Sequence, residues 1–401
     1  MSILDLLSRE DIWQEFLDHK RQNEFFPKRE ESALESFIEK KGYLPVCQAI
    51  KEGKELPVCT LHKINKKNSE KKRTVFVFPY AENYVLKLLA YLLYKYDYLF
   101  EDNLYSFRQK ISVKQGVISL IHKIGNEKTY SYKADIHDYF NSVDTDKMIE
   151  ILKATITDDK PLLDLIISIL KNPCAKDRGK IVTVKKGIMA GVPISGFLAD
   201  LYLSSLDKWF SQRGILYARY SDDIITFAKT KEEIEEYEKQ IKGHLLKMGL
   251  ELNPKKEIRT DPGDPWEFLG FLVDGKRVDI CSSSVKKMKD KMKRKSRALV
   301  RWRKRYKKNP RFAVRAFIKH FNKKMYETDQ TGELNWCKWY FPTINVDTSI
   351  HALDLYAVEC MRYIYTGRHN KSNYNLRYTE IKELGFRSLV NEFYKFKKGC
   401  P

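Results

Sequence analysis

The chain has 401 residues, 43% of them hydrophobic, which suffices for two or three packed subdomains and excludes global disorder. Its formal net charge is +21. Residues 286–311 alone hold 15 Lys and Arg against one Asp, a net of +14 that leaves +7 for the other 375 residues. A basic block concentrated in this way usually meets phosphate, on nucleic acid first and on an anionic membrane second.

The Met1 end, "MSILDLLSREDIWQEF", lacks the basic start of a secretion signal, and residues 1–55 read as helices. Ser8 and Asp11 fit a capping box ahead of an apolar stripe of Ile12, Trp13, Phe16 and Leu17. "HKINKKNSEKKRT" reads as a charged loop and "TVFVFPY" as a strand ending at Pro79. Residues 81–98 look helical. No apolar run approaches 18 residues, since Lys87 and Lys95 interrupt the longest one, so no membrane partner is expected. "TYSYKADI" alternates, with Tyr130, Tyr132, Ala134 and Ile136 on one face and Ser131, Lys133 and Asp135 on the other. "KIVTVKKG" reads as a strand or hairpin and "ISGFLADLYLSSLDKWF" as one helix. "RYSDDIITFAK" reads as a hairpin, "KEEIEEYEKQIKGHLLKMG" as an amphipathic helix, and "EFLGFLV" as a short strand. Beyond residue 281 the pattern is helical and basic. The seven cysteines form no C-x-x-C pair and read as free thiols in a reducing cytoplasm. Cys59 and His62 have metal-like spacing but no second pair near them, and read as loop or core residues. Mixed strands and helices followed by helices predict an α+β core with helical flanks.

In "RYSDDIITFAK" two adjacent carboxylates, Asp222 and Asp223, stand between apolar runs that read as buried strands. A lone Asp pair is common in turns. Asp135, however, ends another predicted strand, and two neighbouring strands would bring it against the pair. Such a cluster cannot stay ionised without compensation, and oxygen-ligated magnesium is a natural source of it. Arg219 and Lys229 stand too far along the strands to neutralise both. A basic chain with an acidic two-metal site points to a polymerase or a nuclease.

The motifs then resemble those of reverse transcriptases. "YSDD" matches the Y-x-D-D signature, and six further blocks follow the family's order: "KKRTVFVFP", "DNLYSFRQK", "YKADIHDYFNSVD", "GIMAGVPISGFLADLYLSSLD", "MGLELNPKK" and "WEFLGF". The tail "TGRHNKSNYNLRYTEIKELGFRSLVNEFYKF" is similar to that of retron-like and defence-associated ("unknown group") bacterial reverse transcriptases, with group II intron enzymes as further kin. The resemblance implies a right-hand polymerase fold. Residues 1–60 would be an N-terminal helical segment, 61–280 fingers and palm, and 281–401 a basic helical thumb and C-terminal segment.

It also implies roles. Asp135 and Asp222, with the Ile136 backbone and Asp223 in support, would hold two magnesium ions, for which manganese could substitute. Lys72 and Arg73 would meet the triphosphate. Phe140 would be the steric gate against a 2′-hydroxyl, Tyr220 would lie under the primer end, and Gly191 would leave room for the new base pair. Lys256, with Lys255 as competitor, would be a proton donor to pyrophosphate. Ala190 stands where the family often has Gln, which puts template positioning and fidelity in question. Asp138 and Asp144 read as capping or pairing residues.

In the basic block, Val285, Met288, Met292, Leu299, Trp302 and Tyr306 fall within about 120° of a helical wheel, so an apolar stripe would dock on the protein. Lys293, Arg294, Arg297, Arg301, Arg303 and Lys304 would then track template–primer phosphates.

The expected function is RNA-directed DNA polymerisation from dNTPs on an RNA template, giving a DNA product. A dedicated non-coding RNA in bacterial anti-phage defence is the expected setting. Protein-primed or untemplated synthesis by the same core, and a non-catalytic RNA-binding or maturase-like module, are the alternatives.

Overall fold

The computed structural model describes residues 2–22, 26–65, 72–109, 113–172, 174–185, 187–327, 335–368 and 375–399. Of Asn65, Lys72, Arg73, Val113 and Lys114 only the backbone is described. The chain divides into two compact units, one of residues 1–23 with 28–262, the other of 24–27 with 263–401. No helix among the described residues is long and apolar enough to cross a membrane.

The first unit holds two four-stranded sheets. In one, strands β1 (Cys59–Asn65), β2 (Lys72–Val77), β4 (Cys174–Asp177) and β5 (Lys180–Thr183) lie in the order β2-β1-β4-β5, with β1 and β4 parallel. In the other, β3 (Tyr130–Asp135), β6 (Tyr217–Tyr220), β7 (Asp223–Ala228) and β8 (Ile258–Thr260) lie in the order β6-β7-β3-β8, all antiparallel. Of the expected apolar face of β3, Tyr132, Ala134 and the following Ile136 are buried and Tyr130 is half-buried. The other face is largely buried as well: Ser131 and Asp135 lose solvent, Ser131 Oγ lying 2.7 Å from Thr260 Oγ1 on β8, and Lys133 alone of the three stays part-exposed.

Three sequence expectations change here. The "HKIN" end of the expected charged loop is strand, because β1 pairs with β2 from Thr60–Val77 to Asn65–Lys72. The N-terminal capping box belongs to Ser2 and Asp5, on the helix Ile3–Leu6, while the Asp11 carboxylate binds Arg9 instead. Ser2 and Ile3 also bind Asp159, which ties the N-terminus to the start of the helix Lys160–Lys171. The expected single helix at 194–210 is two, Ser195–Tyr202 and Ser204–Gln212, broken at Leu203 (φ −111°, ψ 11°).

The second unit opens with strands β9 (Trp266–Phe268), β10 (Phe271–Asp274) and β11 (Arg277–Ile280) in an antiparallel meander. The expected single strand "EFLGFLV" is therefore a hairpin. Leu269 and Gly270 both take positive φ, the combination a two-residue hairpin turn requires. The long basic helix Ser282–Arg305 follows and packs on the helix Thr348–Thr366. Its buried line is Met288, Met292, Ser296 and Val300, an i,i+4 row with a small residue where the helices approach. The expected stripe is thus shifted: Val300 replaces Leu299, and Tyr306 is 55% exposed. The C-terminal helix Leu389–Lys397 is seated by buried Asp354, which accepts from Ser388 Oγ at 2.6 Å and from the Leu389 amide at 2.8 Å.

Candidate active site

The carboxylates meet because β7 runs antiparallel to β3 with Asp223 opposite Asp135. Cross-strand partners present their side chains on one face, so these two share it. β6 returns onto β7 with Tyr220 opposite Asp223, which leaves Ser221 and Asp222 as a two-residue turn. Ser221 takes φ +57°, the left-handed conformation such a turn needs. The Asp222 carbonyl accepts from the Ile136 amide at 3.0 Å, so the turn is stitched to the residue after β3. On the other side the amide of Asn253 donates to the Asp135 carbonyl at 2.8 Å, and that of His137 to Glu251 at 2.8 Å. This run carries Lys256 to Asp135, and the ammonium donates to Oδ2. Lys255 shows no such contact, and its amide is held by the Asn253 side chain.

Burial pushes the Asp223 carboxyl up to about 6, the Asp222 charge adds to the rise, and Lys133 offsets part of it. Among the described residues no three His, Cys, Asp or Glu side chains already converge as a metal cluster. The donor set nonetheless suits a hard divalent cation. It offers carboxylate oxygens on neighbouring strands, and the charges of Asp222 and Asp135 add, after burial, to the rise of Asp223.

Beneath the turn lies a buried polar network. Arg219 is fully buried and grips Asp207 with a bidentate fork, Nε–Oδ1 2.8 Å and Nη2–Oδ2 2.5 Å. It also donates to the carbonyls of Asp200 at 3.0 Å and Ser221 at 3.3 Å. Ser106 Oγ donates to Asp200 at 2.6 Å and accepts from the Ser221 amide at 2.9 Å. Tyr217 adds a hydrogen bond to Asp207 at 3.0 Å. Both faces of the turn residue are therefore held. Sequence reasoning passed over Asp200, Asp207 and Ser106. The available signal was two carboxylates on an otherwise apolar helical stretch, "FLADLYLSSLD", which demand a buried partner.

Residues 64–273 match the family model for reverse transcriptase (RNA-dependent DNA polymerase). The chain belongs to the reverse transcriptase family. It is also similar to the group II intron-encoded protein LtrA of Lactococcus lactis subsp. cremoris, 26% identical over 184 residues. That stretch is 45% of this chain and 30% of the relative, so the chain spans under a third of that protein's length. Among solved structures, telomerase from Candida tropicalis in complex with the TWJ fragment of telomeric RNA matches at TM-score 0.46 and 13% identity, over 86% of this chain and 65% of that one. Telomerase from Candida albicans in complex with the same fragment gives 0.44 and 11%, over 86% and 66%.

In this reverse transcriptase the right-hand fold places β3, β6, β7 and β8 as the palm sheet. Phe140 follows in the short helix Tyr139–Ser142, edge-on to Tyr139 and to Phe107. Tyr220 ends β6, beside Phe107. Asp144 caps the helix Thr145–Thr155 through its side chain, whereas Asp138, at the N-cap position of the Tyr139 helix, makes no side-chain cap bond and accepts from the Asn141 side chain instead. Gly191 takes φ +99°, and an added Cβ would stand 3.0 Å from the Phe76 carbonyl. The Phe76 amide donates to Ala190 at 2.7 Å, so this loop is pinned on β2 through backbone that the Ala190 side chain does not affect. The side chains of Lys72 and Arg73, expected at the triphosphate, lie outside the described residues. On the basic helix, Lys293, Arg294, Arg297, Arg301 and Lys304 are exposed. Arg303 instead turns inward and donates to the Tyr365 carbonyl at the end of the partner helix.

Proposed function

We propose that this chain is an RNA-directed DNA polymerase that extends a primer 3′-hydroxyl with dNTPs. The observation that carries the reading is Asp135 and Asp223 on one palm face beside the Asp222 turn, within the matched domain. Asp135, Asp222 and the Ile136 carbonyl would hold two magnesium ions, with Asp223 in support and manganese as a substitute. When bound, such ions supply charge stabilisation for phosphoryl transfer.

The 3′-hydroxyl gives up its proton to solvent, its oxygen forms a bond to the α-phosphorus, the bond from that phosphorus to the α–β bridging oxygen breaks, and pyrophosphate leaves. Tyr220 supports the primer end and Phe140 stands where a 2′-hydroxyl would lie. Gly191 leaves the templating pair its room, and Lys72 and Arg73 meet the triphosphate. Lys256, whose ammonium donates to Asp135, is the residue we assign to give a proton to the departing pyrophosphate. The exposed cations Lys293, Arg294, Arg297, Arg301 and Lys304 track the phosphates of the RNA–DNA duplex. The tail's similarity to defence-associated enzymes supports a dedicated non-coding RNA as template and a role in bacterial anti-phage defence. Scattered free thiols fit a cytoplasmic setting.

The test is synthesis by the purified chain with its co-purifying RNA, labelled dNTPs or NTPs, and magnesium. The product is then challenged with DNase, RNase and protease. Asp222→Asn should abolish synthesis and leave RNA binding nearly unchanged; equal activity of mutant and wild type refutes the site. Product that migrates with protein until proteolysis would move the reading to protein priming.

A further inference from the structure

Phe107 is strained and exposed in a segment whose other residues are tied down. Leu104 bridges to Arg219, and the Tyr105 amide donates to the Arg219 carbonyl at 2.9 Å. Ser106 Oγ holds the Ser221 amide. Arg108 forks onto Asp97 at 2.9 and 3.0 Å and donates to the Glu101 carbonyl at 2.8 Å. Between these anchors Phe107 takes φ +48°, a conformation bulky side chains rarely adopt, and it remains 47% exposed.

Core packing does not account for a ring left this open. Its neighbours point elsewhere. Phe140 meets it edge-on at 6.3 Å between centroids, and Tyr220 lies nearly parallel at 6.4 Å and 30°. From below, the helix Ser195–Tyr202 presents Gly196, where an added Cβ would come within 2.6 Å of the ring. Strain of this sort persists where the surroundings over-determine it, and it gathers at ligand sites.

We infer that Phe107 is a specificity-determining residue, the side wall of the sugar pocket between Phe140 and Tyr220, whose edge-on contact holds the Phe140 ring against a 2′-hydroxyl. The inference rests on the polymerase reading above. The ring needs no charge or proton for this; it acts by volume and by restricting the Phe140 rotamer.

The experiment measures kcat/KM for a dNTP and its matching NTP on a primed RNA template. It uses the full chain and its Phe140→Ala, Phe107→Ala, Phe107→Tyr and Gly196→Ala variants. Phe107→Ala should lower the dNTP-to-NTP ratio by about tenfold or more, in the direction of Phe140→Ala, and Phe107→Tyr should keep it. Gly196→Ala, which displaces the same ring from the helix side, should lower the ratio less, and it decides the matter if Phe107→Ala does not fold. An unchanged ratio in both, including an equal loss on both substrates, overturns the inference and leaves the polymerase reading standing. A wild-type chain that incorporates no dNTP sinks both.

Discussion

Asp200 shows what burial does to one carboxyl. It lies 1% exposed and 3.7 Å from Arg219, yet its carboxyl is pushed up to about 8 from an ordinary 3.8. Burial wins because the guanidinium is already committed to Asp207; Arg219 and Ser106 offset only part of the desolvation, and Asp207 adds repulsion. The folded state therefore holds a proton at Asp200 that the unfolded chain loses near 3.8. Its stabilising contribution is complete below that value and is lost as pH rises toward 8. Asp200→Asn keeps a neutral group and an acceptor for Ser106. The variant should gain stability relative to wild type between pH 5 and pH 9, read from urea unfolding at each pH. A pH-independent difference would show that Asp200 is charged throughout. The sequence placed Asp200 on a helix but could not show its partner, because Arg219 arrives from a strand nineteen residues on.

Among elements, the hairpin of β6 and β7 is the one whose shape matters most to the site. Four of the eight non-glycine residues with positive φ among the described residues, Phe107, Asp138, Met189 and Ser221, lie in the motifs around it. The hairpin is held from below by the Arg219–Asp207 fork, both side chains no more than 1% exposed. Removing one partner of a buried pair strands the other, at a cost of about 3–5 kcal/mol. Arg219→Ala and Asp207→Ala should each destabilise by that order in urea unfolding. Arg219→Lys should rescue poorly, since an ammonium cannot reproduce a two-point fork. A loss below about 1 kcal/mol would mean the network is not integral to the hairpin. The sequence pattern located this hairpin well, because two apolar runs around a polar pair specify a turn. It misjudged the neighbouring helix, where the Leu203 break is a tertiary choice, and the "EFLGFLV" strand, where Leu269 had to accept a left-handed backbone.

For the whole molecule, charge segregation sets the expected behaviour. The net of +14 within residues 286–311 falls on one long helix, the turn after it and the first turn of the next helix, with the buried row 288, 292, 296 and 300 turned inward. Replacing Lys293, Arg297, Arg301 and Lys304 by Ala should flatten the dependence of RNA affinity on salt. Each lost phosphate contact lowers the log–log slope by roughly 0.7–0.9. An unchanged slope would show that this helix does not meet the backbone of the nucleic acid. Arg303 belongs outside that set, since it caps the partner helix at Tyr365.

Local and ordered features were readable from the sequence alone: the Y-x-D-D hairpin, the alternating strand ending in Asp135, the block order of the family and the basic helix. Each rests on periodicity or on residue types at fixed spacing, which the chain carries in one dimension. The register that sets Asp135 against Asp223, the claim of Lys256 on Asp135, and the burial of Asp200, Asp207 and Arg219 belong to the tertiary structure. So does the exposed ring of Phe107. These depend on which strands pair and which charges lose water together, and neither is encoded within any one segment.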